Sequence, residues 1–243
     1  MTRFFVDPSQ MQGDFLVLTD ENAAHAKVLR LKAGEQVLIC DGSGNECLCT
    51  ISDVSPKQIS LVVNNRQESS SEPKVKASIY MAFSKGDKLE HVIQKATELG
   101  AYEIIAFPSS RCVSRPDEKS LAKKLERWQK IAASAAEQSG RGYIPQVLAL
   151  GSYKAALERA ATADLPILFY ENERATTLKM AIEEKPFATV SLLTGPEGGL
   201  EPKEVEQAKD AGLHICTLGS RILRCETAPL CALSAVMYAT GEF

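Results

Sequence analysis

The chain has 243 residues, of which 44% are apolar and 24% charged, with a net charge of −3; this is an ordinary balance for a folded protein of one large or two small domains. Seven cysteines form no C-x-x-C pair, and Cys47 and Cys49 have no nearby histidine, so a zinc site is not expected and free buried thiols in a reducing compartment are. MTRFFVDPSQ lacks a signal-peptide core, and the longest apolar stretch, Ala228 to Ala239, is too short to cross a bilayer, so the expected location is the cytoplasm, with no membrane or metal involved.

Residues 1 to about 66 carry short runs of β-formers at Phe4–Val6, Phe15–Leu18, Gln36–Cys40, Glu46–Ile51 and Ile59–Val63. Asp41-Gly42-Ser43-Gly44 is a hairpin signal. One helix is expected over Glu21–Leu31 with Asp20 as its N-cap. His25, within it, reads as a surface or half-buried side chain rather than a ligand. A small barrel with one helix fits this pattern. Polar residues from Asn64 to Pro73 read as a linker, which places a domain boundary near residue 72.

From Val75 onward, strands and helices alternate, which predicts a mostly parallel sheet covered by helices on both faces. Ala77–Phe83 is a strand; Leu89, Val92, Ile93, Ala96 and Leu99 form one face of a helix that Gly100 ends. Tyr102–Phe107 is the next strand. Pro116 and Asp117 start a long helix with Leu121, Leu125, Trp128, Ala132 and Ala135 on one face and Lys123, Lys124, Arg127 and Lys130 on the other; Gly140 and Gly142 close it. Ser152 caps a short helix to about Ala161, Pro166–Tyr170 is a strand ending at Glu171, and a helix follows over about Thr176–Ile182.

The next stretch, Ser191 to Thr227, is the most informative. An apolar strand, Val190–Leu193, breaks at Gly195-Pro196-Glu197-Gly198-Gly199. A helix runs from about Pro202 to Ala211, a short strand from His214 to Leu218, and a second corner lies at Gly219. Ligands of open α/β sheets bind beyond the carboxyl ends of strands, and glycines let the backbone approach them. The corners lack both the Lys-Ser/Thr of a P-loop and the G-x-G-x-x-G spacing of a dinucleotide turn. On spacing alone they indicate a small-molecule site or a pair of tight turns. The last helix, Ala228–Thr240, is apolar all round and must be covered, either in the core or across a symmetric dimer.

TGPEGGL followed by LGSRILRCETA resembles the knotted loops of the SPOUT methyltransferases, within which the chain is similar to the family that methylates N3 of a uridine in small-subunit (16S) ribosomal RNA. KGDKLEHVIQKATELG, AEQSGR-YIPQV and FYENE resemble the same family in the same order; Cys225 departs from it, where Thr or a similar small residue is expected. The resemblance implies a PUA-like β-barrel over residues 1–72 and a SPOUT α/β domain over 73–243 with a deep trefoil knot. It also implies S-adenosyl-L-methionine as donor, a homodimer, and 16S rRNA within the small subunit as partner.

Methyl transfer requires donor and acceptor to be held in line. Leu193, Thr194, Gly195, Glu197, Gly198, Gly199, Leu218 and Gly219 are the expected donor contacts, with Ile222 and Leu223 as an apolar wall for the adenine. N3 of uridine must lose its proton, to a carboxylate such as Glu171, Glu197 or Glu226 or with a cation such as Arg221 or Arg224 stabilising the anion. Arg224 and Glu226 are the expected catalytic pair, although Glu226 also suits a helix N-terminus.

Residues 111–141 hold eight Lys or Arg against four Asp or Glu, a local excess on an acidic chain. Arg111, Arg115, Arg127, Gln138 and Arg141 are therefore RNA-contact candidates, and Arg221 is a further one outside this stretch, whereas Lys124 reads as solvated. Residues 1–72 are acidic, so any RNA face there is local, around Arg3, Lys27, Arg30 and Lys32. The rival readings are a ribose 2′-O-methyltransferase of the same superclass, a non-catalytic RNA-binding protein and, more remotely, a nucleotide hydrolase.

Overall fold

The computed structural model describes residues 1–55 and 57–243. The chain divides into two compact units, residues 1–72 with 136–144, and residues 73–135 with 145–243.

In the first unit β1 (Arg3–Phe5), β2 (Phe15–Thr19), α1 (Asp20–Val28), β3 (Gln36–Cys40), β4 (Asn45–Val54) and β5 (Gln58–Glu68) follow one another. Among the described residues the strands form one sheet in the order β1-β3-β4-β5-β2, with β1 parallel to β3 and the other pairs antiparallel. It is a half-barrel around Phe4, Leu18, Ile39, Ile51, Ile59 and Leu61. Alternation selects these residues, since every second side chain of a strand faces the same way. Cys47 and Cys49 obey it, and burial pushes the Cys49 thiol up to about 12.

Three local expectations change here. Asp20 is the first residue of α1 and not its cap; Thr19 takes the extended N-cap conformation. The expected linker begins too early, because β5 continues to Glu68 and pairs with β4 from Cys47↔Arg66 to Asn45↔Glu68. A ladder is made by backbone groups, so a strand end with solvent on its faces can be wholly polar. Arg3 is not on a basic face: its side chain is 12% exposed and pairs with Glu46 at 2.6 Å. His25 is half-exposed, 3.0 Å from a Glu137 carboxylate oxygen and edge-on to Phe4.

The second unit contains β6 (Lys76–Ala82), α2 (Lys88–Glu98), β7 (Glu103–Phe107), most of α3 (Glu118–Ser139), β8 (Gln146–Ala149), α4 (Tyr153–Ala160), β9 (Leu165–Phe169), α5 (Leu178–Glu184), β10 (Thr189–Thr194), α6 (Pro202–Asp210), β11 (His214–Cys216) and α7 (Thr227–Ala239). Among the described residues the strands make one parallel sheet in the order β11-β9-β10-β6-β7-β8. All five residues of β9 are buried, as a parallel strand covered on both faces requires. Strand β8 escapes the sequence reading because it is four residues long and follows a proline. Helix α7 packs on α2, β6 and β10, yet Cys231, Ala235 and Tyr238 are exposed, so one face of this apolar helix is uncovered within the chain. Among the described residues no helix is long and apolar enough to cross a membrane.

Candidate functional site

Strand order creates the site. β9 lies between β10 and β11, so the carboxyl ends of three neighbouring parallel strands open side by side. The segments leaving them, residues 170–174, 195–199 and 217–226, enclose a cleft of about 400 Å³. The segments are tied by backbone bonds: Tyr170 N–H donates to the Cys216 carbonyl, Thr217 N–H to Thr176, and Leu178 N–H to Thr217. Such a volume lies in the range of small-molecule pockets, roughly 300–1,000 Å³.

Each glycine corner has its own reason for glycine. Gly199 has φ +69°, and a Cβ there would land on the Glu171 carboxylate. Gly219 has φ +107° with no atom within 4 Å of a built Cβ. The first corner is thus glycine both because its backbone is left-handed and because a carboxylate packs on it, and the second because of its backbone conformation alone, next to open cleft. Gly195 is packed against Leu200, and Gly198 against Arg111.

A charged cluster sits between the corners. Glu197 accepts from the Lys85 N–H at 2.9 Å and from Lys88 Nζ at 3.0 Å. The same ammonium lies 3.8 Å from Glu226 Oε2 and 3.9 Å from Cys225 Sγ. Cys225 donates to Glu226 at 3.2 Å. Burial opposes ionisation of Glu197, but the Lys85 N–H and Lys88 more than offset it and hold its carboxyl below the usual glutamate range. Glu226 is also held low, first by a hydrogen bond from its own backbone N–H and against some burial, then by Cys225, Lys88 and Arg224. Burial, reinforced by the bond to Glu226, pushes the Cys225 thiol up to about 12. Cys225 therefore stays a neutral donor at neutral pH, a role a threonine hydroxyl also fills.

The structure brings Thr194, Gly195, Glu197, Gly198, Gly199, Leu218, Gly219, Ile222 and Leu223 to this one cleft, together with Glu171, Arg221, Arg224 and Glu226. It does not bring Leu193, which is fully buried in β10 and paired with Tyr80 and Leu168 on either side. Ile222 is 80% exposed, so it forms an open wall rather than core. Glu226 occupies the N-cap position of α7 without a side-chain capping bond; its carboxylate faces Cys225 and Lys88. Sequence reasoning missed Lys88, Tyr170 and Arg174 in the lining. Lys88 carries a signal that could have found it: it is the first residue of α2, where the helix dipole disfavours a cation.

The RNA-contact candidates disperse. Arg111 donates to the Gly198 carbonyl at 3.1 Å on the rim of the cleft, and Arg115 donates to the carbonyls of Ser109 and Ser110. Arg127 is bound to Glu90 at 2.6 Å but remains largely exposed. Gln138 is exposed in the first unit. Arg141 is a correction: it is 4% exposed and, instead of facing solvent, pairs at 2.6 Å with Glu72, whose carboxylate also accepts from the Gly142 and Tyr143 N–H groups. A cation count cannot reveal this, because burial of a guanidinium depends on the carboxylate it meets.

An RNA methyltransferase domain family matches residues 71–237, and an RNA methyltransferase PUA domain family matches residues 18–64. A ribosomal RNA small subunit methyltransferase E from Bacillus subtilis is 37% identical over 99% of this chain and 97% of its own length. The protein of that description from Mesomycoplasma hyopneumoniae is 35% identical over 96% and 98%. A crystal structure of a ribosomal RNA small subunit methyltransferase E from Neisseria gonorrhoeae, bound to S-adenosyl methionine, superposes with a TM-score of 0.84 at 33% identity, covering 98% of each chain.

Proposed function

This chain belongs to the ribosomal RNA small subunit methyltransferase E family, and we propose that it methylates N3 of a uridine in 16S rRNA with S-adenosyl-L-methionine as donor. The observation that carries the reading is the meeting of both glycine corners in one cleft with cations at its rim. The residues present fit the donor. Gly195, Gly199 and Gly219 offer bare backbone, Leu218, Ile222 and Leu223 offer apolar surface, and Glu171 and Glu197 offer negative charge. When bound, S-adenosylmethionine supplies an electrophilic methyl group on a sulfonium.

The chain's own part is to hold the acceptor and manage its proton. Arg221 and Arg224 are exposed on the cleft wall, where they can stabilise negative charge on the uracil as N3 is deprotonated. Glu226 is held below the usual glutamate range and is thus a weak proton acceptor at neutral pH. We therefore assign the larger share of the chemistry to Arg224, with Glu226 orienting the cationic rim. N3 lies on the Watson–Crick edge, so the target uridine must be unpaired or splayed out.

Three further parts belong to the proposal. The backbone bonds that set Thr217 beside Thr176 and Leu178 are compatible with a knotted chain, which the family resemblance implies. The uncovered face of α7, with Tyr238 79% exposed, supports a homodimer. The named relatives act on small-subunit ribosomal RNA, and an assembled small subunit in the cytoplasm is the setting proposed for this chain.

The test is nucleoside mass spectrometry of unmethylated small subunits incubated with protein and donor. The expected product is 3-methyluridine; 2′-O-methyluridine would move the reaction to the ribose, and no methylated product would overturn the assignment. Arg224→Ala should lower the rate by about 100-fold, the typical loss for one electrostatic stabiliser. A wild-type rate in that variant removes Arg224 from the mechanism.

A further inference from the structure

Lys88 has no part in the proposed proton chemistry, yet it stands at the centre of the cleft's charges. It reaches them from α2, an element that carries neither glycine corner. Its ammonium is 3.0 Å from Glu197, which sits in the corner after β10, and 3.8 Å from Glu226, which opens α7. Without a cation between them, two carboxylates would repel each other and push these segments apart. Its position is also unfavourable for the helix itself, since a cation at a helix N-terminus opposes the dipole. The helix dipole therefore does not favour a lysine here, whereas the two carboxylates do.

We propose that Lys88 is a positioning residue for methyl transfer: its ammonium draws Glu197 and Glu226 to one point and so sets the spacing between the first glycine corner and the start of α7. This rests on the methyl-transfer reading of the cleft. The groups facing the cluster are Glu197 with the Lys85 N–H from one side, and Arg224, Cys225 and Glu226 from the other. Glu171, Arg174 and Arg221 complete the charges of the cleft. Lys88 acts through the carboxylates.

The experiment compares wild type, Lys88→Met and Lys88→Arg. Donor affinity is measured by calorimetry, kcat and KM on unmethylated small subunits, and the rate across pH. Lys88→Met should weaken donor binding about tenfold and lower kcat by about 100-fold, the scale of a misplacement near 1 Å. Removing the cation also makes Glu197 and Glu226 harder to ionise, so the acid limb of the rate profile should move to higher pH. Lys88→Arg should restore most of both. Wild-type affinity, kcat and acid limb in Lys88→Met would overturn the proposal. Where Lys88→Met proves unstable, a cycle of Lys88→Gln, Glu197→Gln and the double variant decides: non-additive losses support the coupling and additive ones refute it. A wild-type protein that makes no 3-methyluridine refutes the function, while the calorimetric comparison still decides Lys88.

Discussion

Gly199 shows how one atom's absence shapes the site. Its backbone has φ +69°, and the space where a Cβ would sit belongs to Glu171. An alanine there faces a left-handed cost of about 1–2 kcal/mol. It must also displace a carboxylate that lines the cleft. Gly199→Ala should therefore lower the melting temperature by only a few degrees, since about 1 kcal/mol moves a domain of this size 2–4 °C. Donor affinity should fall much further, at least about tenfold in calorimetry, because the displaced Glu171 moves within the site. Unchanged affinity would remove Gly199 from the donor contacts.

At the scale of elements, α6 links the glycine corner to the basic loop. The Glu204 side chain, 5% exposed, accepts from the Glu201 N–H at 2.9 Å and from the Ser110 N–H at 2.8 Å. Its carbonyl accepts from Tyr153 at 2.9 Å. The helix N-terminus and the loop carrying Arg111 are thus fastened by one carboxylate, and Arg111 in turn touches the Gly198 carbonyl. Glu204→Ala leaves two backbone donors without this partner, at about 1–3 kcal/mol for a buried unsatisfied group. Thermal denaturation should show that loss, and RNA filter binding should weaken with it as Arg111 loses its anchor. An unchanged melting temperature would mean that solvent replaces the carboxylate, and that the loop does not depend on it.

The whole molecule leaves α7 incomplete. The helix is apolar all round, but only the face carrying Ala232, Leu233, Val236 and Met237 is buried by the chain itself. Exposed Tyr238 costs solvation free energy at roughly 25 cal/mol per Å² of apolar surface unless a second copy covers it. The protein should sediment at twice its 26.4 kDa mass, and Tyr238→Asp should return it toward the single-chain mass. A wild type that sediments as a monomer at every concentration would refute the dimer.

Turn chemistry and periodicity are local, which is why much of this protein is written along the chain. The glycine corners at 195–199 and 219, the amphipathic face of α2 and the βα alternation all depend on residues a few positions apart. Partnership is not local. Arg3 and Arg141 are indistinguishable as sequence letters from solvated cations, Lys88 is marked only by its place at a helix start, and only the fold sets the first two against Glu46 and Glu72 and the third against Glu197 and Glu226. Strand order is equally nonlocal: nothing in β9 announces that β10 and β11 will flank it. The sequence determined that two bare corners exist, because a backbone conformation needs only its own residues. The tertiary structure decided that they meet and which charges they meet, because an ion pair between distant segments forms only where the fold brings them within hydrogen-bond reach.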